Sequence, residues 1–264
     1  MTQLVHTPEA LATALPAGPI SLVPTMGALH SGHLALVRAA KALGNPVVVS
    51  IFVNPLQFAP GEDLEKYPRT LAEDVEKLEA LGVDAVFAPS AETMYAHGPR
   101  TTIQPGPLGG VLEGATRPTH FAGVLTVVAK LFALTGASDA FFGEKDYQQL
   151  ALIRQMVDDL HLPVRIHGCP IVRDTDGLAL SSRNRYLSAE ERVTALAIPR
   201  ALATGSLSEA QLLLDATEGL HLDYLVATAE DMSELPDGYT GPARLLVAAK
   251  VGATRLLDNA PIEL

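Results

Sequence analysis

Cysteine is almost absent from this chain: of 264 residues, only Cys169 carries a thiol. One cysteine excludes an intrachain disulfide framework and a cysteine-built zinc site. It stands in the apolar run "RIHGCPIV", where a lone thiol serves as buried filler. Positive charge is also scarce: 19 Lys and Arg against 30 Asp and Glu leave a formal net charge of -11. Nucleic-acid affinity rests on many cationic contacts to phosphate, so a nucleic-acid partner does not fit. A small anion can still be held if the few cations gather in one cleft. No apolar run is long enough to span a bilayer, and "MTQLVHTPEALATALPAG" has no basic segment leading into an apolar core. A soluble cytoplasmic protein without a secretory leader is therefore expected. Repeats of fixed period and low-complexity tracts are missing too. What is present is 48% hydrophobic residues, enough to bury the core of one large domain or two smaller ones.

Apolar patterning then divides the chain. "PISLVPTM" (19–26), "PVVVSIFV" (46–53), "VDAVFAPS", "SDAFFGE" and "PVRIHGCPIV" read as strands. They are β-branched or apolar on both faces, as in a buried parallel sheet. Between them "HLALVRAAKAL", "LAEDVEKLEALG" ending at Gly82, "GVLTVVAKLFALTG" and "YQQLALIRQMVDDLHL" have helical spacing. This alternation predicts an α/β fold with a doubly wound parallel sheet over residues 1–171. From 172 to 264 the rhythm changes. "SAEERVTALAIPRALATG" reads as one helix with a Ser188/Glu191 capping box, and "SEAQLLLDATEG" as another. "LDYLVATAEDM" and "ARLLVAAKVGATRLLDN" read as strands, the latter pair turning near Gly252. A smaller α+β domain is expected there. "EDLEKY" and "EDVEKLE" read as solvated helix faces, and His6, His97, His161, His167 and His221 as surface or packing residues.

In a doubly wound sheet the ligand sits past the carboxyl ends of the strands, so those turns carry the functional argument. "MGALHSGH" follows the first of these strands, and Gly27 and Gly32 have the spacing of a P-loop. The Lys and the Ser or Thr that a P-loop needs next are missing: His33 and Leu34 stand there. A zinc site would need a third ligand, and the His30–His33 pair has no further one nearby. Two imidazoles at a helix start can hydrogen-bond phosphate oxygens or assist a leaving phosphate. Two helix-capping histidines without chemistry remain an alternative on spacing alone.

His-x-Gly-His after the first strand resembles the signature of the nucleotidylyltransferase superfamily. Around it, "VPTMGALHSGH", "VVVSIFVNPLQF", "YPRT", "RPTHFAGV", "FFGEKDYQQL", "DGLALSSRNRYL" and "RLLDN" run in order along the chain. Together they resemble the pantothenate synthetase family. The resemblance implies a Rossmann-like domain and a small C-terminal lid domain. It also implies ATP-dependent joining of pantoate and β-alanine through pantoyl adenylate, with release of pyrophosphate and AMP. The alternative is another enzyme of the superfamily acting on a small metabolite. A nucleotide-binding regulatory domain that keeps only the fold is a further rival.

The family's roles map onto matching positions. ATP is expected along Met26, Gly27, Ala28, Leu29, His30, Ser31, Gly32 and His33, at Gly143, Glu144, Lys145 and Asp146, and at Val172 by its backbone. Leu180, Ser181, Ser182 and Arg183 complete the nucleotide set. His33, His30, Lys145 and Arg183 are the expected catalytic residues, with His33 protonating or polarising the leaving pyrophosphate. Gln57 and Gln149 are implied to hold pantoate. Asn54, Tyr67, Arg117 and His120 match positions around the pantoate and β-alanine pocket. Magnesium is expected to arrive with ATP, held by phosphates and water, so no protein ligand is named. A homodimer is implied. The stretch from "RYLSAEERV" to "LDYLVATAED" is shorter than the family pattern, which bears on the lid but touches no motif residue.

Overall fold

Residues 2–59, 64–65 and 67–264 are described by a computed structural model. "EDLEKY" falls partly outside them, at Glu62, Asp63 and Lys66. The chain forms two compact units: Met1–Glu144 with Gln148–Cys169, and Lys145–Tyr147 with Pro170–Leu264.

The first unit contains, in order, β1 (Gln3–Val5), α1 (Pro8–Ala14), β2 (Ser21–Thr25), α2 (Ser31–Ala42) and β3 (Val47–Ile51). It continues with α3 (Leu71–Ala80), β4 (Ala85–Phe87), the single turns α4 (Ala91–Met94) and α5 (Glu113–Thr116), α6 (His120–Thr135) and β5 (Asp139–Gly143). After the 3₁₀ turn Glu144–Asp146 come α7 (Tyr147–Asp159) and β6 (Arg165–Cys169). All six strands are parallel, in the order β1-β4-β3-β2-β5-β6. The expected doubly wound sheet is therefore present. Successive side chains alternate between two cores. Leu22, Val48, Phe87, Ala140 and Phe142 pack with residues of α1, α6 and α7. Val23, Val47, Val49, Val86 and Phe141 pack with residues of α2 and α3. The chain winds outward in opposite directions from β2 and β5, which are neighbours. Their carboxyl ends are thus the switch point where such sheets bind ligands, and both motif turns begin there.

β1 and α1 were not among the expected elements. β1 has three residues, too few to show a period. Thr7 caps Ala10 N, and Pro8 opens the helix, a start signal that favours a helix there. α6 ends as its sequence requires, with Gly136 at φ +58 closing the last turn. Cys169 is buried. Burial, then the charge of Glu144, pushes its thiol above the usual range, which suits filler rather than a nucleophile.

The second unit holds the 3₁₀ turn Ser182–Tyr186 and the helices α8 (Ala189–Ala195), α9 (Ala197–Leu202) and α10 (Leu207–Asp215). Its antiparallel sheet runs β7 (Leu220–Thr228), β8 (Pro242–Val251) and β9 (Thr254–Glu263). The helix expected from Ser188 onward is two helices. Pro199, in the first turn of the second, has no N–H to donate back to Ala195, so the ladder breaks there. The Ser188/Glu191 capping box is present, and β8 and β9 turn at Gly252 with φ +56. One face of the sheet, through Leu245, Val247, Ala249 and Val251, packs on Ile198, Ala201, Ala210 and Leu214. Among the described residues no helix is long and apolar enough to cross a membrane.

Candidate active site

The loop from β2 to α2 is built from the inside. Gly27 and Ala28 both take left-handed backbone, at φ +86 and +52. Gly27 does so freely, while Ala28 pays for its Cβ. Gly27 N donates to Thr25 Oγ1 at 3.2 Å. Ala28 N and Leu29 N each donate to the Asp74 carboxylate at 2.8 Å. The amides of Ala28 and Leu29, placed in the nucleotide turn by sequence, are therefore turned toward a carboxylate of the protein itself. Asp74 corrects the reading of "EDVEKLE" as a solvated face, because it is fully buried.

His30 caps α2 and its Nδ1 accepts from Gly32 N at 3.2 Å. His33 Nδ1 accepts from His30 N at 3.3 Å, completing a capping box made of two imidazoles. The rings lie 4.1 Å apart between centroids. A ring nitrogen that accepts from a backbone N–H carries no proton, so each neutral ring holds its proton on Nε2. Capping and chemistry, set as rivals by the sequence, are compatible: the cap uses Nδ1 of each ring and puts the ring proton on Nε2.

Gln57 is the hub of a second cluster in the same unit. Asn54 Nδ2 donates to Gln57 Oε1 at 3.2 Å and to Gly123 O at 3.0 Å. Asn54 Oδ1 accepts from Tyr95 Oη at 2.9 Å and from Leu56 N at 3.3 Å. All hydrogen-bonding capacity of the buried Asn54 amide is spent inside the protein. Gln57 Oε1 is thereby fixed as an acceptor, and its Nε2 is turned to Met26 Sδ at 3.0 Å. Arg117 Nη2 and His120 Nδ1 converge on Gln57 O at 3.2 and 3.0 Å. Gly123 is required, because a Cβ there would lie 2.3 Å from Leu56 O. Burial pushes the Tyr95 hydroxyl up to about 12, so it stays a neutral donor. Gln149 lies half-buried in the first turn of α7, and Tyr67 is buried edge-on against Phe58 at 6.1 Å.

In the second unit Lys145, Ser181 and Arg183 line one narrow recess with Asn184, Arg255 and Asp258. Lys145 Nζ reaches Asp146 Oδ1 at 3.5 Å. Ser181 Oγ accepts from Arg183 N at 3.2 Å and starts the turn that opens with Ser182. Leu180 N donates to Val172 O at 2.9 Å, tying two expected nucleotide positions together. Asp258, almost fully buried, is bridged by Arg173 through Nη1 and Nη2 at 2.6 and 3.0 Å.

The family model for pantoate-beta-alanine ligase matches residues 3–261. The chain belongs to the pantoate–β-alanine ligase family. A pantothenate synthetase of Corynebacterium jeikeium is 61% identical over 257 residues, covering 93% of this chain and 83% of that protein. The crystal structure of pantothenate synthetase from Thermus thermophilus superposes with a TM-score of 0.92 at 48% identity, covering 98% of each chain. The pantoate-beta-alanine ligase of Francisella tularensis, complexed with beta-gamma ATP and beta-alanine, superposes with a TM-score of 0.85 at 36% identity. It covers 98% of this chain and 97% of that one. The chain is accordingly an enzyme, a ligase of pantoate and β-alanine. The short second region lies within the family's range, since the Thermus thermophilus chain is matched almost end to end.

Within this ligase, sequence reasoning missed Asp74, Tyr95, Gly123 and Asn259. Asn259 was visible inside "RLLDN" without a role. Asp74 and Tyr95 carry no local signal, because their partners lie 46 and 41 positions away.

Proposed function

We propose that this ligase works in two steps on one ATP. A carboxylate oxygen of pantoate first attacks the α-phosphorus. The bond to the bridging oxygen breaks, and pyrophosphate leaves pantoyl adenylate behind. The amine of β-alanine then attacks the acyl carbon, the bond to the phosphate oxygen breaks, AMP leaves, and the nitrogen gives up a proton to form the amide. Such chemistry needs in-line positioning and charge stabilisation rather than a covalent enzyme nucleophile. The nucleotide and β-alanine carried by the Francisella tularensis relative support ATP and β-alanine as substrates here.

The observation that carries the reading is the imidazole capping box. Because His30 and His33 accept through Nδ1, they offer Nε2–H groups at the head of α2. Neutral donors suit the polarisation of phosphate oxygens on departing pyrophosphate, and His33 is assigned that role with His30 beside it. Lys145 and Arg183 supply positive charge to the phosphates, with the hydroxyls of Ser181 and Ser182 beside them. Gln57, pinned by Asn54, presents Nε2–H to pantoate, and Gln149 is its second amide. Asn54, Arg117 and His120 act through Gln57. Asp146 is assigned to the ribose and the Val172 backbone to adenine. ATP enters as its magnesium complex, the ion being held by phosphate oxygens and water. Among the described residues no group of three His, Cys, Asp or Glu is placed to hold a metal ion. The enzyme is proposed to act as a cytoplasmic homodimer.

The test is a product analysis with ATP, pantoate and β-alanine. Equal amounts of AMP, pyrophosphate and pantothenate are expected. ADP in place of AMP, or AMP without pantothenate, would contradict the reading.

A further inference from the structure

The turn that precedes α2 has the backbone of an anion site, and the anion is already in it. Successive backbone N–H groups turned to one side make a concavity that binds phosphate in nucleotide loops. Here the amides of Ala28 and Leu29, which follow the left-handed residues Gly27 and Ala28, are turned that way. The concavity is filled by Asp74: Oδ2 takes Ala28 N and Oδ1 takes Leu29 N, both at 2.8 Å. Thr70 Oγ1 donates to Oδ2 at 3.1 Å, and Lys77 Nζ lies 3.7 Å from Oδ1. The same ammonium donates to Leu29 O at 3.0 Å. One helix thus grips the Leu29 residue on both sides, its N–H through Asp74 and its carbonyl through Lys77. These partners offset the desolvation of a fully buried carboxylate, which is costly unless paired and hydrogen-bonded. Gly27 leaves the room: a Cβ there would stand 3.3 Å from Asp74 Oδ2 and 3.0 Å from Ile51 Cγ2.

We propose that Asp74, assisted by Lys77, is the positioning residue of the nucleotide turn. It is an internal anion that replaces the phosphate of a P-loop, bars a triphosphate from the Ala28 and Leu29 amides, and fixes the peptide from which His30 and His33 project. The inference rests on the adenylating role assigned to those imidazoles. It explains why the turn keeps P-loop-like glycines without P-loop chemistry. The amides are satisfied from within, and the phosphates are left to the side chains of His30 and His33. Asp74 is fully buried, and its proposed action is through the turn.

The substitution Asp74→Asn keeps the shape but sets an NH2 against one of two N–H donors. In the folded variant, pantoate-dependent exchange of labelled pyrophosphate into ATP should fall about thirtyfold or more, the scale of losing a hydrogen bond to a buried charge. Aminolysis of preformed pantoyl adenylate by β-alanine should change by less than about threefold, since that step needs no pyrophosphate contact. The Nδ1 and Nε2 shifts of His30 and His33 in nitrogen NMR should move, which a general loss of stability would not cause in a folded protein. Glu76→Gln, exposed on the same helix, should leave all three readouts unchanged. Wild-type exchange with unmoved ring shifts in folded Asp74→Asn would overturn the proposal. Should that variant not fold, Lys77→Met carries the test. Its ammonium is partly exposed, and loss of its grip on Leu29 O should still shift the rings and slow exchange about fivefold, as for one lost hydrogen bond. No effect there would equally overturn it. If wild-type protein shows no exchange at all, the adenylation reading fails, and the ring shifts alone decide the role of Asp74.

Discussion

Asn259 donates from Nδ2 to the backbone carbonyl of Lys145 at 3.0 Å. A residue five positions from the end of the chain therefore holds the main chain of the cation assigned to phosphate. Asn259 is itself fixed: its Oδ1 accepts from Arg244 Nε at 2.8 Å, and the Arg244 guanidinium lies 4.1 Å over the ring of Tyr147. Tyr147 Oη donates to Glu230 O at 2.8 Å. Replacing Asn259 by Ala leaves a buried N–H donor and carbonyl unpaired, a cost of about 1–3 kcal/mol. The expected result is a rise of about tenfold in KM for both ATP and pantoate. Steady-state kinetics and a melting curve check it, and unchanged KM values would detach Asn259 from Lys145 function.

The Gln57 cluster makes a substrate-selective prediction. Tyr95→Phe removes the O–H that fixes Asn54 Oδ1 while keeping the ring. KM for pantoate should rise about threefold to tenfold, the value of one hydrogen bond, while KM for ATP stays constant. Because the Tyr95 hydroxyl titrates only near 12, wild-type pantoate affinity should show no contribution from this group up to pH 10. Equal changes in both KM values would assign Tyr95 to general packing.

The imidazole capping box predicts the direction of a pH profile. If His33 acts as a neutral Nε2–H donor, pyrophosphate exchange persists as pH rises from about 7 to 9 and falls on acidification, when a proton at Nδ1 breaks the cap. A cationic acid would give the opposite slope. His33→Ala should slow adenylate formation on the order of a hundredfold, with ATP affinity far less affected. Single-turnover measurements across pH separate the two mechanisms.

Far from the motif turns, at the amino end of β5, Asp139 sets an acid limit on stability. Burial alone would raise its carboxyl. Hydrogen bonds from His167 at 2.8 Å and Ser138 at 2.9 Å, with the charges of His167 and Arg165, outweigh burial and hold it below the usual range. A carboxyl lowered in the folded state contributes stability above its unfolded value and loses it as pH falls through the folded value. The difference in melting temperature between wild type and Asp139→Asn should shrink as pH falls below about 4, the ordinary carboxyl range. A constant difference down to pH 2 would contradict the assignment.

The parallel sheet was legible because β3 and β5 are apolar on both faces and bounded by turn residues. Such strands have one stable place, the middle of a covered sheet. β1 was not legible, since three residues carry no period. The break between α8 and α9 was announced by Pro199 but masked by continuous helical composition. Of the candidate site, His30 and His33 could be found by spacing, yet which nitrogen each uses depends on the backbone of the turn. Asp74 is the clearest case of what sequence hides. In "EDVEKLE" it is one acid among several, and only the left-handed turn of Gly27 and Ala28, brought from 46 positions away, distinguishes it from its solvated neighbours. That Lys145–Tyr147 group with the C-terminal sheet follows from Asn259 and Glu230, partners that no local pattern points to.

In the proposed reaction a pantoate oxygen becomes part of AMP. The direct measurement supplies pantoate labelled with ¹⁸O in its carboxylate, together with ATP and β-alanine, and weighs the products by mass spectrometry. Attack on the α-phosphorus predicts one ¹⁸O in AMP, one in pantothenate and none in pyrophosphate. Unlabelled AMP, or label in phosphate or pyrophosphate, would contradict the adenylate and with it the roles assigned to His33 and Lys145.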